Sequence, residues 1–246
     1  MKVIEYGNEN KQVIMLLHGG GLSYWNFRKE AALLKDKYHV VLPILDGHPD
    51  SENDFTSIED NAKRIIDYID EHYGGSIWLL GGLSLGAQIA VEVLSQRPNI
   101  SQYAIIESAS LIPSKLTHAL LKPSISMSYG LIKKKWFSKW QFRSLHIDKD
   151  YFDEYYSDTC KITKANMIAF LQANTEYQLK DSLKNCSVET RIIVGSKENR
   201  KMKKSAKMLH ECLSNSELII KKKYLHGDYS LNHPDEYVKD LLKNPL

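Results

Sequence analysis

Residues 77–97 constrain what this chain can fold into more than any other stretch. Residues 77–80 (Ile-Trp-Leu-Leu) form a short apolar run of the kind expected of a strand covered on both faces. Gly82-Leu83-Ser84-Leu85-Gly86 follows directly. Then Leu85, Ala87, Ile89, Ala90, Val91, Val93 and Leu94 make residues 85–97 apolar almost all round a helix. A helix with no polar face is buried among other elements, so this one sits centrally in the fold. The sharp turn before it lies at the C-terminal edge of a parallel sheet, where open α/β sheets hold their ligands.

The rest of the chain supplies that sheet. Short β-branched runs recur at residues 13–17, 39–42, 103–106, 190–194 and 217–221. Between them lie segments with helical spacing: Ile58, Ala62, Ile65 and Ile69, then Met202, Ala206, Leu209 and Leu213. A last helix is opened by Pro234. Strands alternating with helices predict an α/β fold with a doubly wound, mainly parallel sheet. At 246 residues, 43% hydrophobic and 26% charged, the chain suits one large domain with a full core. A net charge of +3 is too weak to imply a nucleic-acid partner. Cys160, Cys186 and Cys212 lie far apart, without the pairing of a disulfide framework or zinc site, so neither a metal nor another cofactor is expected. The opening residues lack the apolar core of a secretion signal, and no apolar run approaches the roughly 18 residues that span a bilayer. The expectation is a cytoplasmic protein with a small-molecule substrate.

The alternation fails over residues 111–183. Aromatics crowd there, including Trp136 and Trp140, together with the basic run at 133–135. The segment reads as a helical insertion dividing a core of residues 1–110 and 184–246. Long insertions in compact domains are usually functional, so a cap lining an apolar pocket is expected, with some aromatics packing on the main domain. Trp25 either lines the mouth of that pocket or packs against the cap.

Ser84, on a strand–turn–helix elbow, is exposed by its geometry and is the candidate nucleophile. A serine attacking a carbonyl needs donors for the oxyanion. His18-Gly19-Gly20-Gly21 ends the run at 13–17 and can turn backbone N–H groups inward without side-chain obstruction. The N–H of Leu85, at the start of the buried helix, is the second donor. The glycine run lacks the Lys-Ser/Thr of a P-loop and the spacing of a dinucleotide loop.

These two elements, in this order, resemble the α/β-hydrolase family over nearly the whole chain. Leu45-Asp46-Gly47-His48-Pro49-Asp50-Ser51 is similar to that family's D-x-P-G-H-G-x-S loop, with the proline displaced. The resemblance implies a Ser–acid–His order along the chain. It assigns the base to His226, in a loop before the final helix, over its rival His233. It assigns the acid to Glu198, at a position where the family commonly has aspartate, with Glu107 as the alternative at the end of the run at 103–106. Gly20 and Leu85 would hold the oxyanion, and His18 would be structural. A serine at position 84 excludes dehalogenase and epoxide-hydrolase chemistry, which needs an aspartate there. The implied activity is hydrolysis of a small or medium carboxylic ester with an apolar acyl or alcohol group. A lyase or C–C bond hydrolase on the same residues, or a non-enzymatic binding protein, remain the alternatives.

Overall fold

The computed structural model describes residues 1–9 and 11–243. Seven strands form one sheet: β1 (Val3–Tyr6), β2 (Val13–Leu17), β3 (His39–Pro43), β4 (Ile77–Leu83), β5 (Ser101–Glu107), β6 (Glu189–Gly195) and β7 (Ser216–Lys221). Their order is β1-β3-β2-β4-β5-β6-β7. Every neighbouring pair is parallel except β1 with β3. The C-terminal ends of β2, β4, β5, β6 and β7 therefore share one edge of the sheet. β1 was not expected from the sequence. Four residues with Glu5 among them carry too little pattern to stand out, and pairing with β3 decides their conformation.

Ten helices punctuate the described strands: α1 (Arg28–Leu34), α2 (Ile58–Tyr73), α3 (Leu85–Gln96), α4 (Lys115–Ile132), α5 (Lys135–Ser144), α6 (Phe152–Lys161), α7 (Lys164–Glu176), α8 (Arg200–Cys212), α9 (Asp228–Asn232) and α10 (Pro234–Leu241). Both faces of the sheet are covered, and successive residues of β2 show it. Met15 and Leu17 join the cluster built with α2, α3 and α8, whereas Ile14 and Leu16 join the one built with α1 and α10. That period of two, apolar on both sides, is why β2 reads as an unbroken hydrophobic run.

Residues 111–183 fold into α4 to α7 and attach on both sides of the sheet. Phe170 and Met167 of α7 join the α3 side, while Phe142 of α5 and Tyr155 of α6 join the other. Polar links match this division. Gln88 donates to the carbonyl of Asn174 at 2.9 Å, and Asn166 accepts from the Phe55 N–H at 3.0 Å. On the other side Arg28 meets Glu154 at 2.7 Å and Lys29 meets Asp148 at 3.0 Å.

α3 is the keystone. From Leu85 to Ser95 every residue is buried, and its first turn is seated on the end of β2. A Cβ added at Gly86 would lie 2.1 Å from the Leu17 carbonyl oxygen and 2.5 Å from that of His18. Neither backbone oxygen can yield without moving the strand. Gly86→Ala is therefore expected to destabilise the protein by about 3 kcal/mol or more, well above the typical helix Gly→Ala gain. The fall in urea midpoint measures it.

Candidate active site

β4 runs three residues further than its apolar pattern suggests, to Leu83, so Ser84 is the single link between strand and helix. Ser84 adopts φ 54° and ψ −110°, a left-handed backbone that non-glycine residues rarely accept. Two hydrogen bonds fix it there. Its N–H donates to the Glu107 carbonyl at 2.9 Å, and its own carbonyl accepts from Gln88 at 3.0 Å. The elbow is tight enough that a Cβ at Gly82 would fall 2.5 Å from the Gly86 carbonyl group. Glycine on either side of the serine is a steric requirement.

The serine hydroxyl oxygen stands 3.0 Å from Nε2 of His226, whose Nδ1 lies 2.8 Å from Oε2 of Glu198. His226 arrives on the loop after β7 and Glu198 on the loop after β6, so the sheet order carries both toward β4. Glu198 is almost wholly buried, with 1% of its side chain exposed, while His226 keeps 45%. The other carboxylate oxygen of Glu198 accepts from the Ser108 hydroxyl at 2.7 Å and the Gly195 N–H at 2.8 Å. Burial by itself would raise this acid. The hydrogen bond and charge of His226, with the Ser108 and Gly195 donors, outweigh it and hold the carboxyl below its ordinary range. Ser108, itself at φ 57°, carried no signal in the sequence.

The rival side chains take no part in these hydrogen bonds. His233 is the N-cap residue of α10 and stacks on Tyr224 at 4.5 Å between centroids. Glu107, at the end of β5, accepts the Ser230 N–H only at 3.4 Å, and its second oxygen has no hydrogen-bond partner among the described residues. Burial pushes its carboxyl up to about 7, with the Glu198 charge adding to it against the lowering pull of Ser230 and His226. Behind it sits Glu30 of α1, wholly buried, its two oxygens without a hydrogen-bond partner among the described residues. Desolvation, reinforced by Glu107, raises Glu30 well above the ordinary carboxylate range.

The glycine turn stands beside the elbow. A Cβ at Gly20 would touch the Leu85 side chain at 3.4 Å and Phe170 of α7 at 3.5 Å. The N–H of Leu85 opens α3 and so lacks an intrahelical acceptor. Two buried histidines brace the turn. His18 accepts from the Leu45 N–H at 3.1 Å and donates through Nδ1 to the Gly19 carbonyl at 2.9 Å. His48 accepts from the Gly21 N–H at 2.9 Å, with Nδ1 directed to the Asp46 carbonyl at 3.1 Å. Desolvation pushes both imidazoles down, His48 to about 4, which keeps them neutral and able to accept.

The three candidate pocket tryptophans differ in their surroundings. Trp25 is buried, stacks on Tyr151 and donates its indole N–H to Asp158 at 2.8 Å, so it packs against the insertion. Trp136 and Trp140 are 68% and 65% exposed on α5. From the insertion, Phe170 comes up to Gly20 and also stacks on His48 with centroids 4.7 Å apart. Nothing in its local sequence marks it out.

Comparison with known proteins identifies the fold. A family model described as the alpha/beta hydrolase fold matches residues 12–203. The uncharacterized hydrolase YugF of Bacillus subtilis is 27% identical over 136 residues, covering 54% of this chain and 50% of that protein. The chain thus spans about half the length of the curated relative it matches. An esterase from Exiguobacterium antarcticum superposes with a TM-score of 0.82 at 18% identity, covering 98% of this chain and 93% of the other. An enol-lactonase from Burkholderia xenovorans LB400 does so with a TM-score of 0.81 at 14% identity, covering 98% and 94%. At those identities the likeness is one of fold.

The buried acids make stability depend on pH. Glu107 takes up its proton near 7 when folded but near the ordinary 4.5 when unfolded. Its contribution is fully present below about pH 4.5 and is lost as the pH rises through 7. Glu30, shifted the same way, adds to the loss. Glu107→Gln should therefore raise Tm relative to the parent at pH 8 and leave it little changed at pH 5. Differential scanning calorimetry at the two values reads the difference, and an equal shift at both would remove titration as its cause.

Proposed function

The chain belongs to the α/β-hydrolase fold family, and from that premise we propose that it is a serine hydrolase cleaving a small or medium carboxylic ester through an acyl-enzyme. The observation that carries this reading is the unbroken relay from Ser84 through His226 to Glu198, at 3.0 and 2.8 Å. A serine hydroxyl is a weak nucleophile at its free pKa and needs a base in hydrogen-bond contact.

In this mechanism Nε2 of His226 takes the Ser84 proton as the oxygen attacks the substrate carbonyl carbon. Glu198 accepts from Nδ1–H, which fixes the tautomer that leaves Nε2 free, and stabilises the imidazolium that forms. The depressed titration of Glu198 supports this role, because the acid stays ionised as the histidine charges. The N–H groups of Gly20 and Leu85 take the oxyanion. His226 then protonates the leaving alcohol, and water releases the acyl group by the same steps. Leu85 and Phe170 beside Gly20 present hydrocarbon where the acyl chain would lie, which favours an apolar acyl group. We assign residues 111–183 as the cap that borders the serine along α7. It leaves the His226 side open, consistent with that residue's exposure.

A fluorophosphonate probe should label the parent protein at Ser84 and fail to label Ser84→Ala. Adduct mapping to any other residue overturns the assignment. On p-nitrophenyl esters of graded chain length, Glu198→Gln should lower kcat by about 10³-fold or more while the fold is retained, since an amide cannot stabilise the imidazolium. Glu107→Gln should keep most of the activity. The reverse order of the two variants would transfer the acid role to Glu107.

A further inference from the structure

Forty consecutive residues, 108–147, contain no aspartate or glutamate. They hold seven basic side chains: Lys115, Lys122, Lys133, Lys134, Lys135, Lys139 and Arg143. Among the described residues Lys135 alone of the seven has an ion-pair partner, Asp153 at 3.9 Å. The net charge of the whole chain is only +3, so the remainder is net acidic and positive charge is gathered on this one segment.

The same segment carries most of the large apolar side chains that the fold leaves in water. Leu116, Leu120, Met127 and Leu131 of α4 are 74%, 55%, 85% and 43% exposed. At about 100° per residue they fall within about 60° of one another and form one stripe. Ile125, Tyr129 and Ile132, on the opposite side of α4, face the core. The outward stripe is thus a second apolar face that packing does not require. On α5, Trp136 and Trp140 stand one turn apart and two-thirds exposed, with Phe137 between them at 5.7 Å from each ring. Lys135, Lys139 and Arg143 repeat every four residues along the same helix.

We propose that the α4–α5 surface docks on an anionic lipid bilayer, lying in the interface with its leucine stripe and tryptophans in the headgroup–acyl boundary and its lysines on acidic headgroups. Exposed aliphatics, indole rings and unpaired lysines on helices that lie on the surface are the combination such an interface selects. Because none of the described helices is long and apolar enough to cross a membrane, the attachment is peripheral. Charge argues against a second copy of the chain as occupant, because two identical basic faces repel. A leucine stripe without acceptors argues against nucleic acid, which rewards basic side chains and leaves such a stripe in water. The inference is independent of the proposed hydrolysis, because binding is read without turnover.

The test is co-sedimentation of the full chain with vesicles of phosphatidylcholine alone and of phosphatidylcholine containing phosphatidylserine. Binding is expected only with the anionic vesicles. It should weaken with added salt and be accompanied by a blue shift of indole emission. Replacing Trp136 and Trp140 together by alanine should lower the partition coefficient about tenfold or more. Lys133→Glu, Lys134→Glu and Lys139→Glu combined should abolish it. All these side chains are exposed, so thermal melts matching the parent establish that folding is intact. The proposal is overturned if anionic vesicles are not bound, or if the tryptophan variant binds as the parent does. It is also overturned if a single-stranded oligonucleotide binds equally well and is lost with the charges alone, or if the stripe drives a dimer in sedimentation velocity.

Discussion

Everything at the active edge depends on how closely α3 approaches the sheet. Two glycines let the first turn of that helix rest against the backbone of β2 and close the elbow after β4. Ser84 between them is left with a positive φ that costs of order 1–3 kcal/mol. The burial of α3 on all sides holds it there. The strain has a directional result: the serine side chain is lifted off the sheet toward the loops after β6 and β7, instead of being tucked into the helix start as a cap.

Three buried carboxyl groups near that edge show how donors, more than depth, decide protonation. Glu198 has a hydroxyl, a backbone N–H and an imidazole on its two oxygens and stays charged. Among the described residues Glu107 has one long contact and Glu30 has none, so burial raises both. Had all three ionised, they would repel one another across this buried edge. Because Glu107 and Glu30 both hold their protons more tightly than an ordinary carboxyl, Glu198 is the first of the three to ionise beside the imidazole.

How much of this the sequence conveyed follows from where the information lies. The elbow, the glycine turn and the central strands were legible because sterics and two-sided burial write them into local pattern. Glu198 and Glu107 could not be separated that way, since each is a carboxylate at a strand end. Only the loop paths after β6 and β7 decide which one meets His226. Ser108 and Phe170 were invisible because one hydroxyl or one phenyl ring in a helix is ordinary until its neighbour is known. The tryptophans show the same dependence on neighbours. Aromatic residues concentrated in an insertion suggest a lining, yet sequence alone did not tell that Trp25 packs against α6 or that Trp136 and Trp140 stand largely exposed. β1 escaped notice because a short edge strand takes its conformation from its partner.

The attachment of residues 111–183 to both layers has a mechanical meaning. On one side Gln88 and Phe55 are tied to α7, and on the other Trp25, Arg28 and Lys29 are tied to α6 and the turn before it. A lid that swings needs one anchored margin and one free margin. Here both margins are fastened, so the segment is an arch spanning the sheet rather than a flap hinged to it. For the hydrolysis proposed above, this would put the substrate's approach on the exposed His226 side of the serine. Selection under that reading would rest on the shape of a braced frame instead of on the rate of a closing motion.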